Sequence, residues 1–425
     1  MPKHRLIVLD PGHFHAALTL RERHPAIEDD VHVFGEDGPD LDAFLRLVDS
    51  FNSREKNPTR WALHVHRGAD RLERLEATRP GDIVILAGKN DRKMALIQFL
   101  HERNFFVLGD KPWLIDSAQV GAMRAVLARG PLCMDIMTER HEIANRLQRA
   151  LARNPAVFGE FLVDGDRPAI HIRSVHHLHK MVNGKPLRRP AWYFDTGVQG
   201  EGVTDVTTHL VDLVQWMVAD GTPFDIDRDV RGLSARQWPT AVPREAFASI
   251  TGLDDFPANL GGKVTDGCLQ YLCNAALSYR LRGIAVEIEA LWGLHEPAGS
   301  GDLHHATVRG TGATLVVDQG PGTGFVPTLC VTPTLPGNAF EGVLRDAVAG
   351  LQADFPGVGV EPSGAGYRIL VPASLRTTHE QHFAAVLDDF LGFLDGGERP
   401  ATLAADMACK YSLLAGAFDA TRTSA

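Results

Sequence analysis

Short apolar runs alternate with amphipathic segments through the first third of this chain. The runs, each a candidate β-strand, lie at residues 5–9, 31–34, 61–65, 82–87, 105–108 and 132–137. Between them, apolar residues recur at helical spacing at about residues 13–23, 41–51, 94–103 and 117–129. The run at 82–87 is unbroken, as in a parallel strand buried on both faces. The alternation predicts an α/β domain with a doubly wound parallel sheet over residues 1–137.

After residue 137 the pattern changes. Predicted elements are a helix at 142–152, strands at 161–163, 170–175 and within 269–291, a hairpin at 307–317, and late helices at 379–394 and 402–418. We interpret the long segment 222–265 and the Pro/Gly-rich stretch 320–337 as loops or insertions. Together these elements predict an α+β domain with a large, mostly antiparallel open sheet over residues 138–425.

Length and composition agree with two globular domains. The chain has 425 residues, which is too long for one typical domain. Hydrophobic residues make up 44% of it and charged residues 23%, as in ordinary soluble proteins. The formal net charge of −10 and the lack of a basic run argue against nucleic acid as a partner.

The sequence has no sign of secretion or of a membrane partner. The N-terminus enters a strand almost at once, and no apolar stretch approaches membrane length. Five scattered cysteines without ligand-like spacing are typical of reduced cytoplasmic thiols. We therefore expect a cytoplasmic protein that acts on a small molecule and has no metal site.

The turn after the first strand is where a dinucleotide pyrophosphate lies in parallel α/β domains, because backbone N–H groups and a helix N-terminus meet there. The usual pattern is G-x-G-x-x-G, whereas residues 10–15 read D-P-G-H-F-H. Asp10 adds a negative charge and Pro11 removes a donor, while the two histidines could supply donors. The alternative is a helix-start turn that binds something else or nothing. The cofactor-binding candidates are Gly12, His13, Phe14 and His15.

Two further strand ends at the same edge carry candidate cofactor contacts, since ligands of open α/β sheets lie beyond the carboxyl ends of the strands. The second strand leads to Glu36, whose carboxylate can accept from ribose hydroxyls and would repel a 2′-phosphate. This favours NAD over NADP. The fourth strand ends at Ala87 and Gly88, followed by Asn90, and small residues there let a cofactor approach. Simple structural turns account for these residues equally well.

Two separated segments carry candidate catalytic residues. The fifth strand ends in Asp110-Lys111-Pro112, and a lysine at this edge is more often functional than a surface lysine. Asp205 and His209 are four residues apart, so on a helix they share one face. An ammonium, a carboxylate and an imidazole that converge can move a proton to or from a substrate hydroxyl. A surface pair or a helix cap is the alternative for the Asp–His pair.

A histidine-rich strand end carries the remaining candidates. Its imidazoles and a nearby lysine could hydrogen-bond a polyhydroxylated ligand, and a tryptophan follows in the next loop. A solvated strand end and ordinary aromatic packing are the alternatives. The substrate-binding candidates are His176, His177, Lys180, Trp192, Asp205 and His209.

On these motifs the chain resembles the glucose–fructose oxidoreductase / inositol dehydrogenase / rhizopine-catabolism family, Gfo/Idh/MocA. That family has an E-K-P turn after the fifth strand and a G-G-x-x-x-D-x-x-x-H-x-x-D helix start. The residues that match are Asp110, Lys111, Pro112, Gly200, Gly202, Asp205, His209 and Asp212. The strings at 10–18, 135–140 and 205–213 resemble a branch with a distinct oxidoreductase C-terminal domain. The chain departs from the family in its single turn glycine, in Asp110 for glutamate and in Lys93 where many relatives have histidine.

The resemblance implies an N-terminal Rossmann domain and an NAD(P)-dependent oxidoreductase, with NAD as the cofactor and NADP possible. Hydride would pass between nicotinamide and a sugar, cyclitol or related polyol. His209 would be the general base, Asp205 would tune the proton relay, and Lys111 would hold the reacting hydroxyl. Asp110, Lys111 and Pro112 would border the cofactor. We also expect a homodimer or homotetramer.

Two other functions remain open at this point. Some relatives oxidise a sugar only transiently, which permits elimination, epimerisation or glycoside cleavage without net redox change. A non-catalytic sensor of a sugar or dinucleotide would also explain the irregular turn at residues 10–15.

Overall fold

The computed structural model describes residues 3–163, 165–182, 185–297, 299–335 and 339–423. The strands, in chain order, are β1 Leu6–Leu9, β2 Asp30–Gly35, β3 Ala62–Arg67, β4 Ile83–Leu86, β5 Phe106–Asp110, β6 Cys133–Ile136, β7 Ile170–His179, β8 Met181–Val182, β9 Lys185–Pro186, β10 Val230–Pro243, β11 Val264–Thr265, β12 Cys268–Leu281, β13 Ile284–His295, β14 Leu303–Arg309, β15 Ala313–Gln319, β16 Thr328–Pro333, β17 Gly359–Ser363 and β18 Gly366–Leu370.

The α-helices are α1 His15–Leu18, α2 Pro39–Ser53, α3 Arg71–Thr78, α4 Lys93–Glu102, α5 Val120–Ala128, α6 Ile143–Ala152, α7 Thr196–Gln199, α8 Thr207–Val218, α9 Ile226–Asp229, α10 Arg244–Thr251, α11 Ala339–Gly350, α12 His379–Leu394 and α13 Leu403–Thr423. Within the described ranges, none of them combines the length and hydrophobicity needed to cross a membrane. The chain forms two compact units.

The first unit comprises Met1–Thr138, Gly197–Gly200 and Thr378–Ala415. Its six strands are all parallel and lie in the order β3-β2-β1-β4-β5-β6. The central strands β1 and β4 consist only of apolar residues and are fully buried, as their unbroken sequence runs require. This order is that of a dinucleotide-binding sheet and confirms the predicted doubly wound fold.

Helix α12 belongs to this unit although it lies late in the sequence. It begins at a capping box between Thr378 and Gln381 and has the bounds that its apolar period predicts. The Phe383 ring on α12 lies 4.7 Å from the imidazole of His15. The compact units are thus discontinuous in sequence, whereas the domains 1–137 and 138–425, which stay a prediction, are continuous.

The second unit comprises Glu139–Thr196, Glu201–Thr377 and Gly416–Ala425. Its large sheet has the order β10-β12-β13-β7-β14-β15-β16-β18-β17, and β11 pairs with β12. Only β13 and β7 are parallel; the other described pairs in this sheet are antiparallel. The predicted antiparallel open sheet is confirmed, as is its hairpin of β14 and β15.

Two segments interpreted as loops contain strands, so that interpretation was wrong. The segment 222–265 contains α9, β10, α10 and β11, and the stretch 320–337 contains β16. Strand β10 ends the sheet order, and most of its residues are exposed or half-buried, which weakens the apolar alternation. Pro239 sits where the pairing register shifts between Trp238 and Thr240, a position where a strand tolerates proline. Conversely, the strand predicted at 161–163 is a single bridge between Phe161 and Gly310.

Candidate active site

The turn after β1 neutralises its own acidic residue. Asp10 has a positive φ of 45° and accepts from Arg71 through both carboxylate oxygens, with Arg71 Nη2 2.8 Å from Asp10 Oδ2. The Arg71 side chain is buried, and its hydrogen bonds to Asp10 raise the pKa of the guanidinium. The negative charge expected to oppose a phosphate at this turn is therefore paired with a cation.

The backbone of the turn is tied to the end of β4. The N–H groups of Gly12 and His13 donate to the carbonyl of Ala87 at 3.1 and 3.0 Å. Gly88 allows this approach, because a Cβ there would lie 2.2 Å from the carbonyl oxygen of Asp10. Two donors of the usual phosphate fingerprint are thus used internally. Helix α1 is also shorter than the predicted 13–23, with only four residues.

A compact cluster of His13, His15 and Asp110 lies beside this turn. The Nδ1 atoms of His15 and His13 lie 2.9 and 3.6 Å from Asp110 Oδ2. Burial alone would raise the pKa of the Asp110 carboxyl. The charges of His15, Lys93 and His13 outweigh burial and hold this pKa well below its usual range. Asp110 is therefore an anion that orients two imidazoles, while the Phe14 side chain between them is exposed.

Lys111 leaves β5 at the edge of this cluster. Its backbone N–H donates to Asp110 Oδ1 at 3.0 Å, and its peptide bond to Pro112 is cis. Lys93 is fully buried nearby and donates from Nζ to Asn90 Oδ1 and to the carbonyl of Asp110, the latter at 2.9 Å. Asn90, predicted as a cofactor contact, therefore also has a structural role in holding the buried Lys93 cation.

Glu36 lies just beyond the end of β2, between two arginines. Its Oε1 lies 3.1 Å from Arg71 Nη2 and 3.1 Å from Arg92 Nη1. Burial is the largest single influence and opposes ionisation, but the charges of Arg71 and Arg92 and the hydrogen bond from Arg92 together lower the pKa of this half-exposed carboxyl. The strand end thus presents a carboxylate and two guanidiniums at the place where parallel sheets of this order bind an adenosine ribose.

The glycines before α8 are required by the backbone. Gly200 has a positive φ of 97°, and a Cβ on Gly202 would lie 2.6 Å from the carbonyl oxygen of Cys273. The Gly202 N–H donates to the carbonyl of Leu272 at 3.0 Å, which fixes the approach to α8 against β12. These contacts place the following Asp–His segment on the sheet of the second unit.

Asp205 lies in a turn and not on the helix, so the prediction that both residues share a helical face was wrong in detail. Helix α8 begins at Thr207, and His209 lies in its first turn. Asp205 is buried. Burial is the main cause of the raised pKa of the Tyr193 hydroxyl and of the pKa of about 12 of the Cys273 thiol, and the charge of Asp205 adds to both shifts. Its carboxylate therefore lies near a closed aromatic cluster.

Sequence reasoning missed a cation in this segment. Asp212 is buried and both of its carboxylate oxygens accept from Arg140, with Arg140 Nη2 2.7 Å from Asp212 Oδ1. Arg140 ends the 135–140 string that carries the family resemblance, which was the available signal. This ion pair anchors α8 at a residue within the helix, whereas the glycines fix the chain that precedes it.

The histidine-rich end of β7 meets an acid that was not predicted. Asp302 Oδ2 lies 2.9 Å from Lys180 Nζ and 3.1 Å from His176 Nδ1, and Asp302 Oδ1 lies 3.7 Å from His177 Nδ1. Burial opposes ionisation, but His176, His177 and Lys180 hold the pKa of the Asp302 carboxyl well below its usual range. Three predicted substrate-binding residues therefore do converge, around a carboxylate that sequence spacing could not reveal.

An aromatic residue that the sequence analysis did not single out, Trp292 on β13, lies beside this cluster. The Trp292 ring lies 5.2 Å from that of His176, and the Arg189 guanidinium lies 5.4 Å from the same indole. Among the described residues, Trp292 Nε1 is buried without a hydrogen-bond partner. Trp192 is half-buried in the short 3₁₀ turn Ala191–Phe194.

Comparison with known proteins agrees with this architecture. Residues 147–422 match the family described as "Putative oxidoreductase C terminal domain". A structure described as a putative oxidoreductase from Parabacteroides merdae is 37% identical, covers 100% of this chain and 98% of its own, and has a TM-score of 0.95. No curated protein matches the sequence.

More distant structures share the fold. Levoglucosan dehydrogenase in complex with NADH and levoglucosan has a TM-score of 0.64 at 14% identity, over 100% of this chain and 98% of its own. GenD2 from gentamicin A biosynthesis in complex with NAD has a TM-score of 0.60 at 14% identity, over 100% and 96%. Since the family match spans more than half of the chain, this protein belongs to the oxidoreductase family that carries this C-terminal domain.

Proposed function

We propose that this protein is an NAD(P)-dependent oxidoreductase that transfers hydride between nicotinamide and a sugar, cyclitol or related polyol. The observation that carries the proposal is the presence of Lys111, Asp205 and His209 at the positions of the family signature. Lys111 follows β5 beside an ordered anion, Asp110, and His209 lies in the first turn of α8. Levoglucosan dehydrogenase, a structural relative with bound NADH and levoglucosan, supports the substrate class.

The residues of the first unit fit a dinucleotide best at its adenosine end. Glu36 offers a half-exposed carboxylate at the β2 end for ribose hydroxyls. Gly12 leaves open a space that a Cβ would fill, 3.4 Å from the Cα of Gly88 and 3.6 Å from the N of Lys89. Because Gly12 and His13 use their backbone N–H groups on Ala87, we assign the pyrophosphate contacts to the imidazoles of His13 and His15.

The protein residues then have separate tasks. His209 accepts the proton of the reacting hydroxyl, which requires its neutral form near neutral pH. Lys111 donates to the same oxygen and stabilises the negative charge that develops there. Asp205, buried beside the aromatic cluster, hydrogen-bonds the substrate or the relay to His209. The bound nicotinamide supplies the hydride acceptor.

Cofactor occupancy tests the proposal first. The purified full-length protein is denatured, any released nucleotide is identified, and the nucleotide-free protein is titrated with NAD and NADP. We expect bound or tightly binding NAD, followed by reduced cofactor in a screen of sugars and polyols. Failure of both nucleotides to bind would overturn the proposal and favour a sensor that binds only a sugar.

The same screen separates net oxidation from transient oxidation. In a dehydrogenase, reduced cofactor accumulates in proportion to product. In a lyase, epimerase or glycosidase that oxidises transiently, product appears while the cofactor returns to its oxidised form. Product analysis beside the cofactor absorbance distinguishes the two reactions.

A further inference from the structure

A cluster of possible metal ligands lies in the second unit, outside the proposed catalytic set. It contains His177 near the end of β7, Glu296 just after β13 and Asp302 just before β14. One nitrogen of His177 and one oxygen from each carboxylate all lie within 4.8 Å of one another. The three residues come from three separate segments, which is why no sequence spacing indicates them.

Two atoms of this cluster are buried with unused hydrogen-bonding capacity. Neither His177 Nδ1 nor Asp302 Oδ1 has a hydrogen-bond partner in the part of the chain that the structure describes. The His177 side chain is 9% exposed, and the two atoms are 3.7 Å apart. That separation is too long for a hydrogen bond. It is close to the distance of about 3.4 Å that separates two ligands of a tetrahedral ion with bonds of about 2.1 Å.

The other oxygen of Asp302 is held in place by the surrounding residues. Lys180 Nζ lies 2.9 Å and His176 Nδ1 lies 3.1 Å from Asp302 Oδ2. The Nε2 of His176 lies 2.9 Å from Ser174 Oγ, which fixes the ring. Outer contacts of this kind orient the ligands of metal sites and leave the facing oxygen directed at the ion. Here the facing oxygen is Oδ1, on the side of His177.

The backbone is adapted to the position of the His177 ring. Gly293 pairs with His177 in the register of β13 and β7. A Cβ on Gly293 would lie 2.9 Å from Cδ2 and 3.3 Å from Nε2 of that imidazole. The glycine therefore provides the space in which the ring stands beside Asp302.

We propose that His177, Glu296 and Asp302 bind a divalent transition-metal ion of the Zn²⁺ or Mn²⁺ class. One imidazole nitrogen and two carboxylate oxygens suit these ions, whereas Ca²⁺ and Mg²⁺ prefer sites built from oxygen alone. Three protein ligands leave a coordination position for water or for an oxygen of a bound sugar.

Metal binding to the full-length, chelator-treated protein tests this assignment without reference to turnover. We expect calorimetric titration with Zn²⁺ and with Mn²⁺ to give a single strong site, and metal analysis after gel filtration to recover that ion. The variants His177→Gln and Glu296→Gln should each weaken binding by about tenfold or more. Glu296 is only half-buried, so its variant keeps the test valid if the His177 variant folds poorly.

A matched control comes from the same sheet. His305 Nδ1 lies 3.1 Å from Asp318 Oδ1 in an exposed His–Asp pair, so His305→Gln should leave metal binding unchanged. His15→Gln tests whether the ion binds instead to the cluster of His13, His15 and Asp110 in the first unit. No binding of either ion would overturn the proposal. It would also be overturned if binding survived in both ligand variants, or if it were lost only in the His15 variant.

Discussion

The Nδ1 atom of His15 lies 2.9 Å from Oδ2 of Asp110, across 95 residues of sequence. Both side chains are buried, and the main-chain N–H of Lys111 donates to the other oxygen of the same carboxylate at 3.0 Å. The contact thus links the irregular turn after β1 to the turn that carries the candidate catalytic lysine. The family's glutamate is longer than Asp110, and here the shorter acid is matched by imidazoles that reach toward it.

This link predicts an acid-sensitive contribution to stability. The pKa of Asp110 is lower in the folded protein than its usual value of about 3.9. Below about pH 4 the unfolded chain therefore takes up a proton that the folded one does not, so the contribution is present at neutral pH and is lost as the pH falls. Asp110→Asn should lower the free energy of unfolding at pH 7, and the difference from the wild type should shrink by about pH 3.

Denaturant unfolding of the two proteins at both pH values measures this difference. Taking the difference between variant and wild type cancels the other carboxyl groups that titrate in the same range. A gap that stayed constant between pH 7 and about pH 3 would show that folding does not shift the pKa of Asp110.

Glu36 predicts the choice between NAD and NADP. Its carboxylate pairs with the half-exposed Arg92, which would otherwise be available to a 2′-phosphate, whereas Arg71 is also held by Asp10. Glu36→Gln should therefore raise the affinity for NADP relative to NAD by about tenfold or more. Fluorescence titrations with both reduced cofactors measure the ratio. The control is Asp37→Asn, since Asp37 pairs with Arg67 at 3.1 Å instead, and an equal shift in both variants would contradict the assignment.

The sequence predicts well those elements whose residues are buried on both faces. β1 and β4 are unbroken apolar runs, and they were placed within one residue of their observed ends. Strand β10 was missed because an edge strand with exposed positions and a proline at a register shift has no such pattern. Strand prediction depends on the pattern of apolar residues that burial requires, and most residues of β10 are not buried.

The residues of the candidate site also fall into those that the sequence could predict and those that it could not. Motifs that are continuous in sequence, such as the turn at Lys111 and the glycines before α8, could be recognised directly. Partners brought together only by folding could not: Arg71 lies 61 residues from Asp10, and Asp302 lies 126 residues from His176. Charge pairs of this kind change how a motif is interpreted. From the sequence Asp10 would repel a phosphate, but in the fold Arg71 neutralises its charge.

The glycine before α8 predicts a strong local effect. In Gly202→Ala the new Cβ would lie 2.6 Å and 2.7 Å from the carbonyl oxygens of Cys273 and Asn274, and backbone atoms cannot move aside cheaply. We expect a loss of about 1–3 kcal/mol in the free energy of unfolding and a large drop in turnover. Gly342→Ala on α11 is the control, since its Cβ meets nothing within 4 Å and should stabilise by roughly 0.5–1 kcal/mol. Equal melting curves for the two variants would exclude the close approach at Gly202.

Replacement of His209 should lower turnover with little effect on folding. The residue lies in the first turn of α8, where asparagine fits the helix but cannot accept the proton. His209→Asn should lower kcat by about 10²–10⁴-fold, while the affinity for the nicotinamide cofactor stays within about twofold of the wild type. The matched control is His305→Gln, an imidazole of an exposed pair in the same unit, which should keep full turnover.

The pH profile distinguishes a general base from a residue that only shapes the site. In the wild type, kcat/KM for oxidation should fall toward acidic pH with an apparent pKa set by the base, and the His209→Asn variant should lose that limb. Added imidazole should restore part of the activity of His209→Ala if the missing group is a proton acceptor. A variant that kept the acidic limb and was not rescued would assign the base to another residue, with Lys111 as the first to test.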